Sequence, residues 1–139
     1  KSLEFVGGVS ILELENGGNL SIDNSKGGAV MCAWEIYTAM KNTMDKCYPE
    51  ETELRQNFDL AIEKLEKFII SNSLTPITKT ELENDLKKKR EKLPEQCKGE
   101  ADKMAKNFIA KKSEFIEKFQ KSIDESLATS RPPVINPCL

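Results

Sequence analysis

The 139-residue sequence predicts an all-α protein: a disulfide-stapled four-helix bundle, up-down-up-down, with a glycine-rich N-terminal segment and an extended C-terminal tail. Three observations carry this expectation. Apolar residues recur every three or four positions through most of the chain after Gly28, and six of the seven glycines lie at or before that point. Four cysteines, Cys32, Cys47, Cys97 and Cys138, stand far apart in a chain that contains no histidine. The length fits one domain, large enough to bury about two thirds of its unfolded surface. It divides into residues 1–28, a helical body over 29–128 and a tail over 129–139.

In the first segment Leu12, Leu14, Leu20 and Ile22 alternate with polar residues around Asn16-Gly17-Gly18-Asn19, the pattern of a β-hairpin whose tight turn needs positive φ. A short helix over Ser10–Glu15 competes, because leucine and glutamate favour helix over strand. Helix A runs from about Gly28 to Cys47, with Val30, Trp34, Tyr37, Met40 or Lys41, and Met44 on one face. Pro49 ends it or opens the next element. Helix B, about Glu50 to Ser71, has the clearest stripe: Leu54, Phe58, Ala61, Ile62, Leu65, Phe68 and Ile69. Its acidic start suits the helix dipole.

Helix C opens on the capping box Thr78-x-x-Glu81, in which each side chain meets the other residue's backbone N–H, and shows a thin edge of Leu82, Leu86 and Leu93. Pro94 either kinks the chain or separates C from D, and is placed at the start of helix D. Helix D carries Cys97, Ala101, Met104, Phe108, Phe115, Phe119, Ile123 and Leu127 on one seam. It would reach about 50 Å if continuous. Arg131-Pro132-Pro133 forbids its continuation.

The cysteine pairing follows from this geometry. Cys32 and Cys47 would lie about 22 Å apart along helix A, whereas bridged Cα atoms lie within about 7 Å. Antiparallel neighbours bring the end of A to the start of D and the end of D back to the start of A. The expected bridges are therefore Cys47–Cys97 and Cys32–Cys138. Disulfides imply an oxidising compartment, and a start at Lys1 without an initiator Met fits a mature secreted chain. Asn19-Leu20-Ser21 is a glycosylation sequon that agrees with it.

The same inventory argues against an enzyme. Without histidine there is no imidazole base, no Ser-His or Cys-His nucleophile and no histidine-held zinc, and no phosphate-loop or EF-hand pattern is present. No cofactor, metal site or catalytic residue is expected. No apolar run is long enough to span a membrane. The pI of about 5.4 argues against nucleic acid. Net charge is −2, distributed as −5 over residues 1–78, +4 over 79–121 and −1 beyond.

Three features could carry binding, one of them the glycine-rich amino-terminal segment, whose edge or loop could meet a partner by strand addition. The run Lys87, Lys88, Lys89 and Arg90, with Lys92, suits an acidic protein face, an acidic polysaccharide or anionic lipid. Met31, Trp34, Tyr37 and Met40, with Phe58 and Phe108, could instead line a cavity for a small hydrophobic ligand. In format, a small helical domain with four cysteines, the chain resembles arthropod salivary and haemolymph proteins and parasite-secreted effectors. That resemblance implies a secreted, non-enzymatic, monomeric binder that sequesters host mediators or blocks a host protein in the manner of an inhibitor. A carrier of a hydrophobic ligand is the alternative.

Overall fold

The computed structural model of the protein describes residues 3–15, 17–90 and 97–138. Asn16 of the expected turn, Lys92 of the basic run, Leu93 and Pro94 lie outside the described residues. The protein is mostly helical and has two disulfides, as the sequence predicts.

Strands β1 (Leu3–Val6), β2 (Val9–Glu13) and β3 (Asn19–Asp23) form an antiparallel sheet in the order β1-β2-β3. The β2–β3 pair is the expected hairpin, with Leu12 opposite Leu20. Alternation and the glycine pair therefore prevail over the helix propensity of leucine and glutamate. Gly17 takes φ +83°, and its N–H donates to the Leu14 carbonyl at 3.0 Å. Strand β1 was not expected. It turns into β2 through Gly7 and Gly8, both at positive φ as a two-residue hairpin turn requires.

Among the described residues there are five helices: α1 (Val30–Cys47), α2 (Thr52–Asn72), α3 (Lys79–Arg90), α4 (Gly99–Ala110) and α5 (Lys112–Ser126). The single helix D of the sequence expectation is thus corrected to two helices broken at Lys111, so the expected four rods become five. No proline or glycine marks the break. Packing supplies the reason: α4 lies on α1 whereas α5 lies on α2, and one straight rod does not follow both. The break folds Phe108 toward Phe115, with ring centroids 4.7 Å apart, although seven residues along a straight helix span about 10 Å.

The seam of helix D is corrected as well. Ala101 and Met104 are exposed, Met104 by 41%, while Asp102 and Ala105 face inward. Rotation of α4 is set at its start, where Cys97 is bridged to Cys47 and the Tyr48 hydroxyl donates to Asp102 Oδ1 at 2.5 Å.

Helices α1 and α2 form the main contact, with α3 laid across both. The apolar stripe of α2 is buried as expected except for half-buried Ile62, and on α1 the choice falls on Met40 rather than Lys41. One core cluster joins Met40, Met44 and Leu54 to Phe58, Ala105, Phe119 and Ile123. The other joins Val30 and Trp34 to Leu65, Phe68, Ile69, Leu82 and Leu86. Phe58 is the hub of the first cluster, in ring contact with Tyr37, Phe108, Phe115 and Phe119. Truncating a buried phenylalanine of this kind costs about 3–5 kcal/mol.

Helix α3 is capped where the sequence places the box, with the Glu81 N–H donating to Thr78 Oγ1 at 3.2 Å. The reciprocal arm differs from expectation: the Glu81 carboxylate accepts from the Thr78 hydroxyl instead of its backbone N–H. Helix α1 begins after Ala29 with no side-chain cap. The tail caps it instead, because the Met31 N–H donates to the Val134 carbonyl at 2.9 Å.

Both expected bridges are present, Cys32–Cys138 with Cα atoms 5.4 Å apart and Cys47–Cys97 with 5.6 Å. In the chain-entropy account each contributes about 4–5 kcal/mol by constraining the unfolded chain. Leading to Cys138, the tail runs beside β3, with Ile22 bridged in parallel to Asn136 and the Asp23 N–H donating to the Asn136 carbonyl at 2.8 Å. The outer edge of β3 is thereby partly covered. Arg131, read from sequence only as a helix stop, is the centre of this region. Its side chain and that of Asp23 are both fully buried and paired. The guanidinium also donates to the Thr129 and Gly28 carbonyls and lies over the Phe68 ring. Gly27 has to be glycine here, since a Cβ would run into the Ser126 carbonyl and the Arg131 guanidinium.

Candidate functional site

The sequence singles out two groups of residues, and the structure distributes them differently. Lys87 and Lys88 stand exposed near the end of α3, and neither takes part in an ion pair or hydrogen bond among the described residues. Lys89 and Arg90 continue the same helix. Helix α3 rests on the body through Leu82 and Leu86, so its outer circumference faces solvent. Cations in this last turn also suit the helix dipole. Asn19 opens β3 opposite Glu13, just past the turn.

The residues expected around an apolar cavity separate into three places. Trp34, Met40 and Phe58 are packed core. Met31 lines a cleft of about 560 Å³ against Glu35, Ser21 and the tail residues Pro133–Asn136. Tyr37 and Phe108 both line an open groove of about 390 Å³ between α1 and the α4–α5 pair. Phe115 and Phe119 complete its floor, and Lys111, Glu114 and Lys118 stand on its rim. Burial pushes the Tyr37 phenol above its ordinary pKa, so it remains a neutral donor within the groove.

A third cleft, also about 390 Å³, was missed by sequence reasoning. It lies where α1, α2 and α3 meet. Helix α1 contributes Thr38, Lys41, Asn42 and Asp45, and α2 contributes Asp59, Ile62, Glu63 and Glu66. Each set follows the i, i+3, i+4, i+7 spacing of one helix face. Lys79, Glu83 and Leu86 of α3 close one end.

At the far end the charges are mutually satisfied. Lys41 binds Asp45 at 2.8 Å and Asp59 at 3.1 Å, and Arg55 binds Asp45 at 2.7 Å. Partial burial opposes the charge of Lys41, but its hydrogen bonds to Asp45 and Asp59 prevail and raise its pKa. Burial likewise opposes ionisation of Asp45, and the bonds from Lys41 and Arg55 outweigh it, holding that carboxyl below the usual range.

At the α3 end stands Glu66, only 7% exposed. Its Oε2 accepts the Trp34 Nε1–H at 3.2 Å. Among the described residues its Oε1 has no donor and no cation lies within ion-pair distance of it. The signal for it was present in the sequence as spacing: Glu66 stands four residues after Ile62 and three before Ile69, at the edge of the strongest apolar stripe, whereas its charged neighbour Lys67 falls on the opposite face.

Among the described residues no group of three potential metal ligands comes together. No described helix is long and apolar enough to cross a membrane. Comparison with models of known families, with curated proteins and with solved structures finds no match to this chain.

Proposed function

We propose that the protein is a secreted, non-enzymatic binding protein of the inhibitor kind, which engages an acidic face of an extracellular protein through the basic end of α3. The observation that carries this proposal is the pair Lys87 and Lys88, adjacent, exposed and without an ion pair or hydrogen bond among the described residues. Uncommitted surface cations steer an acidic partner and add charge-assisted hydrogen bonds on contact. The two disulfides suit an oxidising compartment. They also pre-organise the surface, which lowers the entropic cost of association. Surface plasmon resonance against candidate extracellular proteins, with Lys87→Glu and Lys88→Glu combined, tests it. Loss of binding with charge reversal is the expected result, and unchanged affinity removes the basic corner. Retention on heparin without any protein partner would assign the corner to an acidic polysaccharide instead.

The second reading, a carrier of a small hydrophobic ligand, is favoured by the groove of Tyr37, Phe108, Phe115 and Phe119. Aromatic walls with a polar tip and a cationic rim suit an amphipathic acid. Displacement of a fluorescent fatty acid, compared between the native protein and Phe108→Ala, tests that reading. An absence of saturable uptake defeats it.

A further inference from the structure

A carboxylate taken out of water is stable when a cation or several donors face it. Glu66 has one donor among the described residues, the Trp34 indole, on one of its two oxygens, and the residue lines an open cleft. Of the two lysines in that cleft, Lys41 is held by Asp45 and Asp59 at the far end. Lys79 stands exposed on α3 with no ion pair among the described residues. The Thr38 hydroxyl donates to the Trp34 carbonyl, so its lone pairs remain available as acceptors, and the Asn42 amide lines the same wall. Ile62 and Leu86 supply the apolar side.

We propose that this cleft binds a small primary organic amine, whose ammonium group pairs with Glu66 while its apolar body lies against Ile62 and Leu86. A primary ammonium has three N–H donors and one positive charge. That matches a lining in which Thr38 and Asn42 offer acceptor oxygens beside the half-partnered Glu66 carboxylate. A bare metal ion fits poorly, because no three ligand side chains converge among the described residues. An anion is repelled by Glu66 and Glu83. The site is independent of the basic corner of α3 and of the aromatic groove, and stands whether or not either proposal for them survives.

The chain's single tryptophan makes the test direct, because the Trp34 Nε1–H is bonded to the carboxylate in question. Tyramine is titrated into the 15N-labelled protein, with 4-ethylphenol, the same body without the amine, as control, while the one indole resonance and the backbone amides of Thr38, Asn42 and Leu86 are followed. The expected result is saturable one-to-one binding of tyramine that moves all four signals, and no response to 4-ethylphenol. Glu66→Gln keeps the size of the side chain and an acceptor for Trp34, and weakens tyramine by about tenfold or more. Glu83→Lys, an exposed change that leaves the core untouched, weakens it too and serves if Glu66→Gln does not fold. The proposal is overturned by absence of saturable binding, by equal binding of 4-ethylphenol, or by shifts confined to Tyr37 and Phe108. Binding that emerges only in Lys79→Ala would identify the chain's own lysine as the cation for Glu66, and would overturn it equally.

Discussion

Arg131 Nε donates to Asp23 Oδ2 across 108 residues of sequence, with both side chains wholly withdrawn from solvent. The other carboxylate oxygen of Asp23 accepts the Ser25 N–H at 2.8 Å and the Ser25 hydroxyl. The pair therefore joins the last strand of the sheet, the entry to α1 and the tail through hydrogen bonds that leave neither charge uncompensated. The Asp23 backbone N–H bonds the tail as well, at Asn136, so one residue holds that segment from both main chain and side chain.

Breaking this pair on one side is expected to cost about 3–5 kcal/mol, because an unpaired charge stays buried. Arg131→Met should lower the urea-unfolding free energy by that amount, whereas Asp23→Leu combined with Arg131→Met should recover a large part of it. A loss below about 1 kcal/mol for the single change, the range of a surface ion pair, would show that the pair does not organise the region.

The two disulfides are expected to differ in what they protect. Replacing Cys32 and Cys138 by serine frees the tail, and the amides of Met31 and Asp23 that bond Val134 and Asn136 should exchange with solvent much faster. Replacing Cys47 and Cys97 should leave those two amides protected and loosen the Tyr48–Asp102 contact instead. Each double change should lower stability by about 4 kcal/mol in the chain-entropy account. Equal exchange of the Met31 amide in the two variants would contradict this division.

Stability should have an acid limb and an alkaline limb with different owners. The Tyr48 hydroxyl, and then Lys106, hold the Asp102 carboxyl below its ordinary range, and Asp45 is also depressed in the balance of burial against its two cations. Groups lowered in the folded state contribute fully above the unfolded carboxylate range. Their contribution is lost as pH falls through the depressed folded values. Tyr48 is raised by its bond to Asp102, and Tyr37 by burial. Their contribution is complete below about pH 10 and is lost as pH rises through the raised values. Thermal melting between pH 2 and pH 5 should be less pH-dependent in Asp102→Asn than in the native protein, and an unchanged slope would refute this assignment.

What was legible in the chain is what neighbours along it decide. The stripes of α1 and α2 are periodic because a helix repeats every 3.6 residues, and all but Tyr37 and Ile62 of those positions are buried. The β2–β3 hairpin was legible in its glycine pair, and β1 could have been found from Gly7 and Gly8 by the same rule. The disulfide pairing followed because helix length and alternation of direction leave few cysteines within reach of one another. Of the candidate site, the exposed lysines of α3 were named. The polar cleft beside them was not.

Composition and periodicity by themselves determined a mostly helical chain, its two bridges and its lack of imidazole chemistry, since each depends on residue identity or on spacing within one helix. Only the tertiary structure decided the break at Lys111, the rotation that buries Asp102 and exposes Met104, the union of Asp23 with Arg131, and the half-partnered carboxylate of Glu66. These depend on which surfaces come into contact between segments far apart in sequence. Packing free energy is shared among such surfaces, and no local pattern reports how it is divided.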